Sequence, residues 1–117
     1  MKKFILVILI MLFSVTVFAD KVDYSANLTA DATIVSGKAE FHGITITGDG
    51  TNVITVDIHN GTSTSGEKIV PTITFAQNAN TKTQSFGVYP PVDCSKGIYI
   101  NITTAGTASY VVYFKRY

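Results

Sequence analysis

Cysteine is nearly missing from this sequence: Cys94 is the only one. A lone thiol excludes an internal disulfide framework and any multi-cysteine zinc or iron–sulfur centre. Charge is also scarce, with Asp, Glu, Lys and Arg making up 15% of residues against roughly 25% in ordinary soluble domains. The formal net charge of +1 provides no field of either sign, so the chain is neither a disordered acidic segment nor a basic nucleic-acid binder. Tryptophan is absent, and with one cysteine the Cys–Trp–Cys signature of true immunoglobulin domains cannot be formed. What the chain does have is apolar surface: 46% of its 117 residues, enough for one core in a chain too short for two.

Part of that apolar content is concentrated at the start. Met1-Lys2-Lys3 feeds into an unbroken apolar run from Phe4 to Phe13, followed by Ser14 to Ala19 before charge returns at Asp20. This is the pattern of a secretory signal peptide, residues 1–19, with Val17 and Ala19 suiting the cleavage pocket, so cutting is expected after Ala19. The apolar stretch is short of the roughly 20 residues a membrane-spanning helix needs and contains two hydroxyls, so no membrane insertion is expected once it is removed. The protein is accordingly read as secreted, extracellular or at the cell surface, with Cys94 buried as an inert thiol.

From Asp31 on, apolar and β-branched residues recur at a spacing of two, as in Phe41, Ile44 and Ile46 and again in Ile54, Val56 and Ile58. These are strands. Breakers stand between them at Gly48-Asp49-Gly50, Asn60-Gly61, Gln77-Asn78-Ala79-Asn80, Pro90-Pro91 and Ala105-Gly106, which places strands near 31–36, 38–47, 53–59, 67–75, 81–89, 97–103 and 108–115, with a short eighth at 91–94. The spacing predicts an all-β fold over residues 31–117: an antiparallel two-sheet β-sandwich of seven or eight strands, immunoglobulin-like or a small jelly roll, because a single sheet would leave an apolar face wet. A transmembrane barrel is disfavoured, since eight spanning strands of roughly 9–11 residues with their turns need more chain than residues 20–117 supply.

Two segments do not fit a self-contained sandwich. Residues 20–30 form a polar arm with two readings, a frayed terminus or, since Val22, Tyr24, Ala26 and Leu28 alternate, an extended segment that fills a neighbour's sheet edge. At the other end, Tyr110, Val112 and Phe114 face one way from a strand and Val111 and Tyr113 the other, so both faces call for cover. The expected assembly contacts are therefore Val22, Tyr24, Leu28, Tyr110, Val112, Tyr113 and Phe114.

Catalytic equipment is hard to find. The only histidines are His42 and His59, with Asp49, Asp57 and Asp93 as scattered acids. Asp57 and His59 share a strand face opposite Ile54, Val56 and Ile58, the geometry of a two-ligand metal site or of solvated surface decoration, and the second reading is preferred. His42-Gly43 interrupts the alternation between Phe41 and Ile44, which marks a bulge. Gly48-Asp49-Gly50-Thr51-Asn52 lacks the alternating acids of a calcium loop and reads as a turn. There is no nucleophile elbow, phosphate loop or dinucleotide fingerprint, and Cys94 has no placed histidine to activate it. No enzyme activity, metal or cofactor is expected. Threonine alternates with isoleucine in Ile44-Thr45-Ile46-Thr47 and Thr72-Ile73-Thr74, facing solvent as the polar residue best suited to a strand. Tyr89, Tyr99 and Tyr117 could supply a sugar-stacking strip.

The stretches Gly43-Ile44-Thr45-Ile46-Thr47-Gly48-Asp49-Gly50-Thr51-Asn52, Val56-Asp57-Ile58-His59-Asn60-Gly61-Thr62-Ser63-Thr64-Ser65-Gly66, Pro71 and Cys94-Ser95-Lys96-Gly97-Ile98-Tyr99-Ile100 resemble small β-sandwich modules of phage virion and fibre proteins, over about residues 43–115. The resemblance implies a non-enzymatic fibre, decoration or assembly unit; an export signal departs from it, because virion proteins assemble in the cytoplasm. The sequence thus leads to a secreted structural subunit that forms a homo-oligomer or polymer as an extracellular filament, pilus-like fibre or coat. The alternatives are an adhesion module for a cell-surface glycan and a virion fibre or decoration protein.

Overall fold

The computed structural model describes residues 21–117, so the expected leader lies outside the described residues. The described chain holds nine strands and no helix: β1 (Asp23–Tyr24), β2 (Ala32–Ser36), β3 (Ala39–Gly48), β4 (Ile54–Asn60), β5 (Glu67–Lys68), β6 (Ile73–Phe75), β7 (Thr83–Cys94), β8 (Gly97–Thr104) and β9 (Ala108–Arg116). They form two packed antiparallel sheets. Sheet A has the order β1-β9-β3-β7, and sheet B the order β2-β8-β4-β5, with β6 also on β4.

Side-chain alternation does most of the work of assembly. On β3, Phe41, Ile44 and Ile46 are buried, and on β4 so are Ile54, Val56 and Ile58; Ile98 and Ile100 of β8 and Tyr110, Val112 and Phe114 of β9 complete the interior. The threonines between the isoleucines face outward, where Thr45 bonds Ser85 (2.8 Å) and the Tyr113 hydroxyl (3.1 Å), and Thr47 bonds Thr83 (2.9 Å). The phase change at His42-Gly43 is a bulge: the register slips between Phe41 and Gly43 against both β7 and β9. Gly43 is required there, because a Cβ would stand 2.7 Å from the Phe86 carbonyl oxygen.

Three strand boundaries differ from the sequence reading. The strand expected over 67–75 is split into β5 and β6, since Pro71 lies between them and cannot donate to a ladder. The stretches 81–89 and 91–94 are one strand instead of two: β7 runs through Pro90 and Pro91, tolerable on an edge strand, where one row of backbone groups has no strand partner. The arm is not only a lead, for Asp23–Tyr24 pairs with β9.

Candidate functional site: the two margins of sheet A

Sheet A ends in two different edges. At the first, the arm lies antiparallel to β9 of its own chain, with Asp23 opposite Phe114 and Tyr24 opposite Tyr113. The contact continues past the two-residue strand: Ser25 N–H donates to the Val112 carbonyl (2.9 Å) and Val112 N–H to Ser25 Oγ (2.9 Å). Leu28 and Tyr110 exchange two backbone bonds, of 2.9 and 2.8 Å. The Tyr110 hydroxyl then donates to the Ala30 carbonyl (2.7 Å), which satisfies the polar end of an otherwise buried ring. Burial, followed by the charge of Asp31 and by Tyr99, pushes that phenol up to about 12.

This places each of the expected contact residues. Tyr110, Val112 and Phe114 point into the core, so what they offer a neighbour is backbone. Leu28 is half-buried against the core. Val22 (42% exposed), Tyr24 (74%) and Tyr113 (37%) remain at the surface, and the register sets Tyr24 beside Tyr113. The second apolar face of β9 is thus a thin one: Val111 is half-buried and Tyr113 is held through its hydroxyl by Thr45.

At the second margin, β7 pairs with β3 on one side and with no strand on the other among the described residues. Thr83, Gln84, Ser85 and Gly87 are exposed, while Phe86 and Val88 are half-buried. Because sheet B is interrupted at Pro71, its facing edge does not close over β7, and an apolar cleft of about 200 Å³ opens between the layers, lined by Phe41, Val70, Ile73, Phe86 and Val88. Phe86 meets Phe75 edge-on at 6.4 Å between ring centres. The sequence reading missed this margin; the clue was Phe86 and Val88, apolar at a spacing of two on a strand otherwise polar, facing Ile69-Val70-Pro71.

β7 is anchored by a polar staple before it begins. Gln77 Nε2 donates to Asp49 Oδ1 (3.1 Å) and to the Asn52 carbonyl (2.6 Å), and Gln77 Oε1 accepts from Gly50 N–H (2.8 Å). The Asn52 and Thr51 N–H groups and the Asn52 side chain also donate to Asp49, holding its carboxyl far below the usual range. Gly48-Asp49-Gly50 is therefore a cross-linked turn. Gly48 N–H donates to the Lys82 carbonyl (2.8 Å), which starts the β3–β7 ladder.

Asp57 and His59 do share the outer face of sheet B, but His59 is only 5% exposed, which corrects the picture of a solvated pair. Its Nδ1 lies 2.8 Å from the Gly66 carbonyl oxygen. Asp57 is occupied by Thr72 and by Lys68 at 3.0 Å, with the Thr72 hydroxyl the main cause that lowers its pKa. His42 lies 3.5 Å from Glu40, whose other oxygen, with Asp93, accepts from the Tyr117 hydroxyl. Among the described residues no three His, Cys, Asp or Glu side chains are placed to hold a metal ion. Cys94 is buried and unpaired, and burial pushes its thiol up to about 11. Tyr99 lies on the outer face of sheet B beside His59, with ring centres 6.3 Å apart, whereas Tyr117 is tied to Glu40 and Asp93 on sheet A. The two do not form one strip with Tyr89. No protein-family model matches the chain, and no curated protein matches it.

Proposed function

We propose that this chain is a secreted, non-enzymatic structural subunit that self-associates by strand addition into an extracellular filament, pilus-like fibre or surface coat. The observation that carries the reading is the pair of unlike margins on sheet A: an open β7 edge over an apolar cleft, and a β9 edge closed only by the arm. An uncovered strand edge is a template for pairing with another chain. Contact between two unlike margins is heterologous, and such contacts extend into fibres when the rotation does not close. The strand order, in which β2, β3 and β4 and then β7, β8 and β9 alternate between the sheets, supports a small jelly roll over an immunoglobulin-like arrangement. Electron microscopy and sedimentation of the protein recovered from expression of the full chain test the reading. Fibres or concentration-dependent oligomers are expected, and a strictly monomeric protein at high concentration would end it.

One observation favours a second reading, adhesion to a cell-surface glycan: Tyr89, 95% exposed beside Pro90-Pro91, presents a bare ring of the kind that stacks on sugars. That reading predicts a saturable glycan signal abolished by Tyr89→Ala.

A further inference from the structure

We infer that the arm from Val22 to Leu28 is an exchangeable strand, seated on its own β9 in the isolated chain and on the β9 of a second copy in the assembly. The inference rests on the self-association proposed above and names the element that passes between copies. Three observations lead to it. The arm's seat is built largely of hydrogen bonds to the β9 backbone, those of Ser25 and Val112 and of Leu28 and Tyr110, with Leu28 packed against the core, while Val22 and Tyr24 stay largely exposed. Each such bond contributes about 1 kcal/mol net, against roughly 1–2 kcal/mol of conformational entropy for every residue ordered. An arm held this way has little to lose on leaving.

The edge it covers, by contrast, needs a strand. Tyr110 and Val112 are core residues whose outward backbone groups are satisfied by the arm, and an arm from another copy satisfies them in the same register. A pivot is also present. Asp31 is fixed to β8, accepting from Ile102 N–H (2.8 Å) and from the Asn101 side chain (3.2 Å). Thr29 and Ala30 are exposed and border an open groove as the chain passes from sheet A to sheet B. Turning the backbone there swings the arm away while Asp31 keeps β2 in place; the Tyr110 hydroxyl gives up the Ala30 carbonyl of its own chain and is offered that of the incoming arm, the route by which identical elements are swapped between protomers.

The test uses Tyr24 and Tyr113, which face each other across the antiparallel pair at a spacing that suits a disulfide. A Tyr24→Cys/Tyr113→Cys protein in a Cys94→Ala background is oxidised at graded concentrations and run on a non-reducing gel. The expected result is a within-chain bond in monomer and between-chain bonds, as dimers or a ladder, in the assembled fraction. Within-chain bonds alone in assembled protein overturn the exchange but leave self-association standing; a parent chain that never assembles overturns both. Should the variant fail to fold, mixed ¹⁴N and ¹⁵N parent chains treated with an amine cross-linker give the same answer. Continued by two residues, the register sets Lys21 opposite Arg116 and one position from Lys115, within reach of a flexible cross-linker, so links of mixed mass support exchange and links of single mass overturn it.

Discussion

β9 and β7 flank the same central strand, β3, yet they are held by different forces. β9 buries Tyr110, Val112 and Phe114 and has its far edge covered by the arm. β7 keeps Thr83, Gln84 and Ser85 in solvent, offers only half-buried Phe86 and Val88 to the cleft, and relies on the β3 ladder and the Gln77–Asp49 staple. Hydrophobic burial scales with the apolar area removed from water, so β9 belongs to the core and β7 is a clipped-on margin. Stability and the capacity to pair with another molecule are thereby separated on one sheet.

The largest expected effect sets the two strands directly against each other. Phe114→Ala removes a buried ring and should cost about 3–5 kcal/mol in urea unfolding, while Phe86→Ala, half-buried at the cleft, should cost about half as much. Equal losses would break the contrast. Next comes the staple: Gln77→Ala removes three hydrogen bonds and should cost roughly 1–2 kcal/mol. Amide exchange should quicken more in Thr83–Phe86 than in Tyr110–Phe114, because Gln77 leads into β7, whereas the clip reaches β9 only through the Thr107 N–H on Asp49 (3.3 Å).

Alkaline titration sharpens the comparison further, since each strand carries one buried weak acid. Folding favours the neutral form of both, so their stabilisation is complete below the unfolded value and is lost as pH rises through the folded one. For Cys94 of β7 the loss should run from 9.0 to about 11, and for Tyr110 of β9 from 10.0 to about 12. Tyr110→Phe should remove the upper phase and leave the lower, which unfolding midpoints measured across this range would show. The smallest effect on stability is expected for Gln84→Lys, within about 0.5 kcal/mol, yet a charge on the open β7 edge should lower assembly in sedimentation.

Much of this architecture was legible before any coordinates. Isoleucine–threonine alternation on β3 and β4 specified which faces turn inward, because side chains on a strand point to opposite sides in turn; the phase change at His42-Gly43 announced the bulge. The candidate site was legible in part. The arm's alternating Val22, Tyr24, Ala26 and Leu28 allowed an added strand as well as a frayed terminus, and nothing local said that β9 of the same chain would pair with it. His59 reads as an outward residue on β4, and it is buried because the 61–66 loop, which follows that strand directly, folds back to place the Gly66 carbonyl against its ring.

The sequence by itself determined the strands, their turns and their inner faces, since these depend on residues one to four positions apart. Only the tertiary structure decided which strands became margins, that β7 would run unbroken through Pro90 and Pro91, and that an apolar cleft would open opposite Pro71. Those outcomes depend on which distant segments lie side by side, and an unpaired edge is defined by the neighbour it does not have.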